Sequence, residues 1–169
     1  MENRSIKESG CIFTFDKAVN YYNFDSQENS VFKENNFCSN KSIYFLVLYK
    51  KELYFIEVKS YDYFYVSKDK MDEQICKIYS KYIDSYAIIA LSNNETIKKY
   101  QDELTKKGNI PKIILFITDN LTKEEALVLL ENIEKRFRKK FKNLKINDIF
   151  IETLTSYNDS IYKVEKSDK

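Results

Sequence analysis

The sequence contains no histidine, and this absence removes several classes of chemistry. Nucleophile pairs of the Ser-His and Cys-His type are excluded, and so are metal sites with histidine ligands. Any catalysis by this chain must therefore use carboxylates, lysine, tyrosine or a metal ion held by oxygen ligands.

Cysteine and long apolar runs are also scarce. Cys11, Cys38 and Cys76 are scattered without a CxxC pair, which argues against a disulfide framework and against a structural zinc site. We expect three small buried thiols in a reducing compartment, and we predict a cytoplasmic protein. No apolar stretch approaches the roughly 20 residues that are needed to span a bilayer, so we expect no membrane partner.

Glycine and proline hardly interrupt the chain. Two Gly and one Pro in 169 residues, with 43% hydrophobic residues, suit one compact domain with a substantial core. We place this domain at residues 1–162 and predict a disordered polar tail at 163–169. The formal net charge of +2 gives no global field that would indicate nucleic acid, although a local basic patch remains open.

Two β-rich runs form the centre of the predicted fold. Residues 43–49 and 52–59 are separated only by Lys50-Lys51, which predicts an antiparallel β-hairpin. With a two-residue loop, the register places Tyr44 opposite Glu57.

The second run ends in two charges. Glu57 and Lys59 are two residues apart and therefore share one face of the strand. Both faces of this strand are otherwise apolar, so it reads as a central strand, and charges at its end need a cleft, a partner or a metal ion. The simpler alternative is an exposed ion pair at a strand end.

The remaining patterns predict an α/β fold, in which a mixed β-sheet with the central antiparallel hairpin is flanked by helices. A long surface loop is predicted between residues 26 and 40. Further strands are predicted at 11–15, 112–118 and 145–154, and helices at 17–22 with Asp16 as N-cap, 69–93, 95–107 and 123–141.

Three groups of side chains each allow two interpretations. The aromatic run from Tyr61 to Tyr65 either covers a core edge or stacks bases beside a cleft. The polar helix face with Lys77, Lys81 and Asp84 is either solvated or turned toward Glu57. The third group is a cluster of cations near the end of the helix at 123–141, which either complements the negative end of that helix or contacts phosphate. It consists of Arg136, Arg138, Lys139, Lys140 and Lys142.

The order of elements around a hairpin that ends in Glu-x-Lys resembles the PD-(D/E)XK, or restriction-endonuclease-like, nuclease superfamily. Within it, a branch of small prokaryotic proteins is similar in Phe15-Asp16-Lys17-Ala18-Val19, in the segment from Phe55 to Tyr61, and in Lys81-Tyr82-Ile83-Asp84-Ser85. The resemblance implies that Glu57 and an aspartate of the hairpin hold Mg²⁺, while Lys59 positions or activates the attacking water. A hard cation of this kind lowers the pKa of bound water and stabilises charge on a phosphate.

The sequence departs from this pattern at one position. The predicted register places Tyr44 where the resemblance implies the metal-binding aspartate, and a phenol is a poor Mg²⁺ ligand near neutral pH. Asp25, Asp16 and Asp62 are the candidates for a carboxylate that has taken over the missing role.

Two functions therefore stay open. In the first, Glu57 and Asp25 bind Mg²⁺, Lys59 assists the water, and the protein is an active endonuclease on DNA or RNA. In the second, which we favour, the fold is catalytically degenerate and serves as a binding or regulatory module with DNA, RNA or a protein as partner. We expect Tyr44, Lys81 and Asp84 to line the cleft, and by analogy we expect a role in prokaryotic defence or in mobile elements.

Overall fold

The computed structural model describes residues 4–24, 42–64, 67–106, 108–118, 122–144, 146 and 148–167. Within these ranges the chain forms two β-sheets and three α-helices. The strands are β1 Arg4–Glu8, β2 Cys11–Phe15, β3 Asn20–Asn23, β4 Phe45–Tyr49, β5 Glu52–Lys59, β6 Lys112–Ile117, β7 Ile149–Thr153 and β8 Tyr162–Lys166. The helices are α1 Lys68–Leu91, α2 Lys98–Leu104 and α3 Lys123–Phe141.

The larger sheet has the order β3-β4-β5-β6-β7 and is mixed. Strands β3, β4 and β5 are antiparallel, whereas β5, β6 and β7 run parallel to one another. The prediction of an α/β fold with a mixed sheet and a central antiparallel hairpin is confirmed.

The hairpin has the predicted register. Tyr49 pairs with Glu52 and Phe45 pairs with Ile56, so the loop consists of Lys50 and Lys51 alone. Both lysines have positive φ angles of 49° and 67°, the backbone that a type I′ turn requires. This turn is adopted without the Asn-Gly pair that usually favours it.

The molecule has three layers, in which the helices cover one face of the larger sheet and the smaller sheet covers the other. Leu53 and Phe55 of β5 face the helices, whereas Ile56 and Val58 face the smaller sheet, whose order is β1-β2-β8. Burying each large apolar side chain contributes about 1.5–3 kcal/mol, so both interfaces stabilise the fold. The expected flanking helices therefore lie on one face only, since the smaller sheet occupies the other.

The predicted helix at 17–22 is wrong. Asp16 does act on the following backbone, because its carboxylate accepts a hydrogen bond of 2.9 Å from the Ala18 N–H, but this closes a turn and starts no helix. The chain then enters strand β3, where Tyr21 stacks on Phe15 with 4.4 Å between ring centroids. Pairing with β4 and this stacking override a local pattern that is compatible with a helix.

The predicted tail at 163–169 is also wrong for most of its length. Residues 163–166 belong to β8, which pairs antiparallel with β2 so that Val164 lies opposite Phe13. The buried residues of β8 alternate with exposed charged residues, so the segment as a whole has a polar composition that predicts a tail rather than a strand. The last two residues lie outside the described part of the chain.

Other boundaries shift by smaller amounts. The helix at 123–141 has the predicted limits, and the helix at 69–93 is confirmed as α1. The segment predicted as a helix at 95–107 begins with a 3-10 turn at Glu95–Ile97 before α2, and the strand predicted at 145–154 is restricted to β7.

The cysteines do not share one environment. Cys11 is buried as predicted, but Cys76 is exposed on α1, and Cys38 lies outside the described residues together with the predicted loop at 26–40. None of the described helices is both long enough and apolar enough to cross a bilayer.

Candidate functional site: the Glu57 cluster

Strand β5 presents Glu57 and Lys59 on the face that is turned toward the helices, as their spacing predicts. The carboxylate is buried, with only 2% of the side chain exposed, and Lys59 Nζ lies 2.6 Å from Glu57 Oε1. The pair lies toward the carboxyl end of β5, where β5 runs parallel to β6. In open parallel sheets this edge is the usual place for a ligand-binding crevice.

Helix α1 supplies a second cation to the same carboxylate. Lys81 Nζ lies 2.7 Å from Glu57 Oε1, so Lys81 faces the cleft and the solvated interpretation is wrong for this residue. One turn further along α1, the Ser85 hydroxyl accepts a 3.0 Å hydrogen bond from the Ile43 N–H, which ties α1 to the entry of β4. Ser85 belongs to the family-like segment but had no predicted role, although its spacing of four from Lys81 places both on one helix face.

The cluster combines one buried carboxylate with two partly exposed ammonium groups. Lys59 and Lys81 are 19% and 21% exposed, so part of each lysine side chain reaches the surface while Glu57 does not. A buried carboxylate without cations would be costly, and the two lysines therefore stabilise it while leaving a local excess of one positive charge. Glu57 Oε2 is buried and accepts no hydrogen bond from the described residues, so it remains available to a donor.

An aromatic side chain borders the cluster. Lys59 Nζ lies 5.2 Å from the centroid of the Tyr63 ring, a cation–π distance. Burial raises the pKa of the Tyr63 hydroxyl, and the negative charge of Glu57 raises this pKa further. Of the aromatic run, Phe64 is fully buried in the core and Tyr63 is the residue placed beside the cleft, while Tyr65 lies outside the described residues.

Tyr44 does not face Glu57, contrary to the register-based prediction. Its hydroxyl donates a hydrogen bond to the Glu8 carboxylate of β1, and its ring lies 5.1 Å from that of Phe45. The reason is a bend at Tyr44, before β4 begins, that breaks the alternation of side chains. Ile43 therefore enters the core on the helix side, while Tyr44 packs toward the smaller sheet.

The other predicted cleft residue, Asp84, is on α1 three residues after Lys81 and is partly buried. Within the described part of the chain, the ion pairs of Glu57 are those with Lys59 and Lys81. Asp84 is therefore close to the cluster along the helix, but the two side chains that contact the Glu57 carboxylate are both lysines.

The alternative metal-binding carboxylates are dispersed. Asp25 lies outside the described residues, Asp16 is exposed in the turn before β3, and Asp62 is exposed in the 3-10 turn Tyr61–Tyr63. Among the described residues, no group of three or more Asp, Glu, Cys and His side chains could hold a metal ion. Mg²⁺ prefers several oxygen ligands, so one carboxylate with two ammonium groups on it does not fit this ion.

Comparison of the chain with family models, with curated proteins and with solved structures gave no match. The resemblance to restriction-endonuclease-like proteins therefore rests on the Glu-x-Lys motif and on the order of the elements.

Proposed function

We propose that this chain is a restriction-endonuclease-like protein that is catalytically degenerate and binds nucleic acid without cleaving it. The observation that carries the proposal is that Lys59 and Lys81 both place an ammonium group within 2.7 Å of Glu57 Oε1. These two cations neutralise the carboxylate that the resemblance assigns to Mg²⁺. The positive charge at the cleft is thus supplied by the protein itself.

The surface of the cleft supports binding. The two lysines are partly exposed, and their charge exceeds that of the single carboxylate beneath them. An ammonium group in this position can contact a phosphate oxygen while the other keeps its bond to Glu57. Tyr63, which lies beside Lys59, adds an aromatic face that suits a nucleobase.

The second candidate function is an active Mg²⁺-dependent endonuclease in which a carboxylate from elsewhere completes the site. One observation favours it: Glu57 Oε2 is buried and makes no hydrogen bond with the described residues. Asp25 is the residue that we assign to this role. Mg²⁺ would be the cofactor in this case only.

Two assays on the same protein separate these functions. Fluorescently labelled single-stranded and double-stranded DNA and RNA are titrated in EDTA to measure binding, and are then incubated with Mg²⁺ or Mn²⁺ to measure cleavage. We expect salt-dependent binding without cleavage. Lys59→Gln with Lys81→Gln should weaken binding, whereas the control Lys77→Gln on the same helix should not, with circular dichroism confirming that each variant is folded.

Metal-dependent cleavage that is lost in both Glu57→Ala and Lys59→Ala would contradict the proposal and establish the second candidate. Absence of binding to all four substrates would contradict it as well.

A further inference from the structure

A separate groove lies between α1 and α3, with a volume of about 610 Å³ and with charged side chains along its largely apolar lining. Four cations of α3 line it, and α1 contributes one carboxylate. These charged residues are Lys135, Arg136, Lys139, Lys140 and Asp72. The groove therefore carries an excess of positive charge in a chain whose formal net charge is only +2.

The four cations differ in what they contact. Arg136 makes an ion pair with Asp72 across the groove, and Lys140 Nζ lies 5.1 Å from the centroid of the Tyr79 ring. Lys135 and Lys139 are exposed, and neither makes an ion pair with any described residue. They are four residues apart on α3, so their side chains lie on one side of the helix, about 5–6 Å apart at their bases.

The helix end explains only part of this charge. Cations in the last turn of a helix are stabilised by the exposed carbonyl groups, and Lys139 and Lys140 belong to that turn. Lys135 and Arg136 lie before it. Repulsion between neighbouring cations disfavours such a cluster unless an anion offsets it.

We propose that this groove binds a small molecule that carries a chain of two or three phosphates. The four cations span only about 7.5 Å along the axis of α3, at a rise of about 1.5 Å per residue, which suits a compact anion better than a nucleic-acid strand. The volume falls within the range of small-molecule sites, about 300–1,000 Å³.

Each side chain has a distinct role in this site. Lys135 and Lys139 bind successive phosphates, and Lys140 closes the end of the groove beside Tyr79. Arg136 exchanges part of its contact with Asp72 for a forked contact with phosphate oxygens, a geometry that its planar guanidinium group favours.

The direct test is titration calorimetry of the full chain with pyrophosphate and with tripolyphosphate, using inorganic phosphate for comparison. We expect one saturable site that binds the longer anions more tightly than inorganic phosphate. The double variant Lys135→Gln and Lys139→Gln should weaken binding by about tenfold or more. The matched control removes two exposed lysines of the smaller sheet, Lys7→Gln and Lys163→Gln, and should leave the affinity unchanged.

A second readout uses the exposed thiol of Cys76, which lines the same groove. Its alkylation by iodoacetamide, followed by mass spectrometry of the Cys76 peptide, should be slowed by pyrophosphate in the wild type and not in the Lys135→Gln, Lys139→Gln variant. This reports on the groove without relying on heats of binding.

The proposal is overturned if pyrophosphate shows no saturable binding, or if the double variant and its control lose affinity equally. It is also overturned if pyrophosphate leaves the alkylation rate of Cys76 in the wild type unchanged. Binding of a single-stranded oligonucleotide that depends on Lys135 and Lys139, without binding of pyrophosphate, would also overturn it. The outcome is independent of the function proposed for the Glu57 cluster, because neither Glu57 nor its two lysines line this groove.

Discussion

Replacing Lys81 by methionine tests whether the two lysines hold Glu57 in place. Methionine keeps an unbranched chain of similar length, so the substitution removes the ammonium group with little change in packing. It leaves the buried Glu57 carboxylate with a single cation, Lys59, at 2.6 Å. The variant should therefore be less stable than the wild type.

The magnitude follows from the burial of the three groups. Removing one partner of a fully buried ion pair costs about 3–5 kcal/mol, because an uncompensated charge remains. Here Lys59 remains in contact and Lys81 is itself 21% exposed, so water takes over part of its role. We expect the free energy of unfolding to fall by about 1.5–3 kcal/mol.

Urea denaturation followed by far-ultraviolet circular dichroism measures this change. With a slope of about 2 kcal/mol per molar urea, the midpoint should move down by about 1 M. The matched control is Lys77→Met, one turn earlier on α1, whose partner Glu73 is exposed. Equal midpoints for the two variants would refute the reasoning, since the contact with Glu57 would then contribute no more than a surface pair.

Three further predictions concern other parts of the fold. Burial raises the pKa of the Glu152 carboxyl group above its ordinary value of 4.5. The native state therefore binds the carboxyl proton more tightly than the unfolded chain does, and the free energy of unfolding should fall as pH rises above about 4.5. Glu152→Gln should lose this slope in urea melts at several pH values; an unchanged slope would contradict the prediction. Lys50→Asn with Lys51→Gly should raise the free energy of unfolding by about 1–2 kcal/mol, because both residues have positive φ, and a lower urea midpoint would count against it. Tyr44→Asp should add no Mg²⁺ affinity at Glu57, and calorimetry that shows a gain would indicate that the bend at residue 44 has changed.

The sequence predicts those parts of the structure in which the local spacing of apolar residues agrees with the contacts that the segment makes in the fold. The hairpin is such a case, because strand alternation and a two-residue connection define its register together. Local pattern and tertiary contact lead to the same result there. For Lys81 the helical period left a solvated face and a face toward Glu57 both open, and the resemblance favoured the second, which the structure shows.

The remainder depends on partners that no local pattern reveals. Tyr21 lies in a strand because Phe15 and β4 are beside it, although its segment follows an aspartate that resembles a helix cap. Tyr44 keeps its place in the hairpin, but the bend at this residue turns its side chain toward the other sheet, where the Glu8 carboxylate accepts a hydrogen bond from the hydroxyl. Both outcomes come from contacts between distant segments, which alternation and spacing do not encode.

The smaller sheet has a consequence for the order in which the molecule can form. Its middle strand β2 has one neighbour from the preceding residues and another, β8, that follows about 150 residues later, so closing this pairing requires a long loop to be ordered. During synthesis the hairpin of β1 and β2 must wait for β8 to leave the ribosome, with Phe13 lacking its partner Val164 until then. Such long-range pairing slows folding, and we expect completion of the smaller sheet to be a late step.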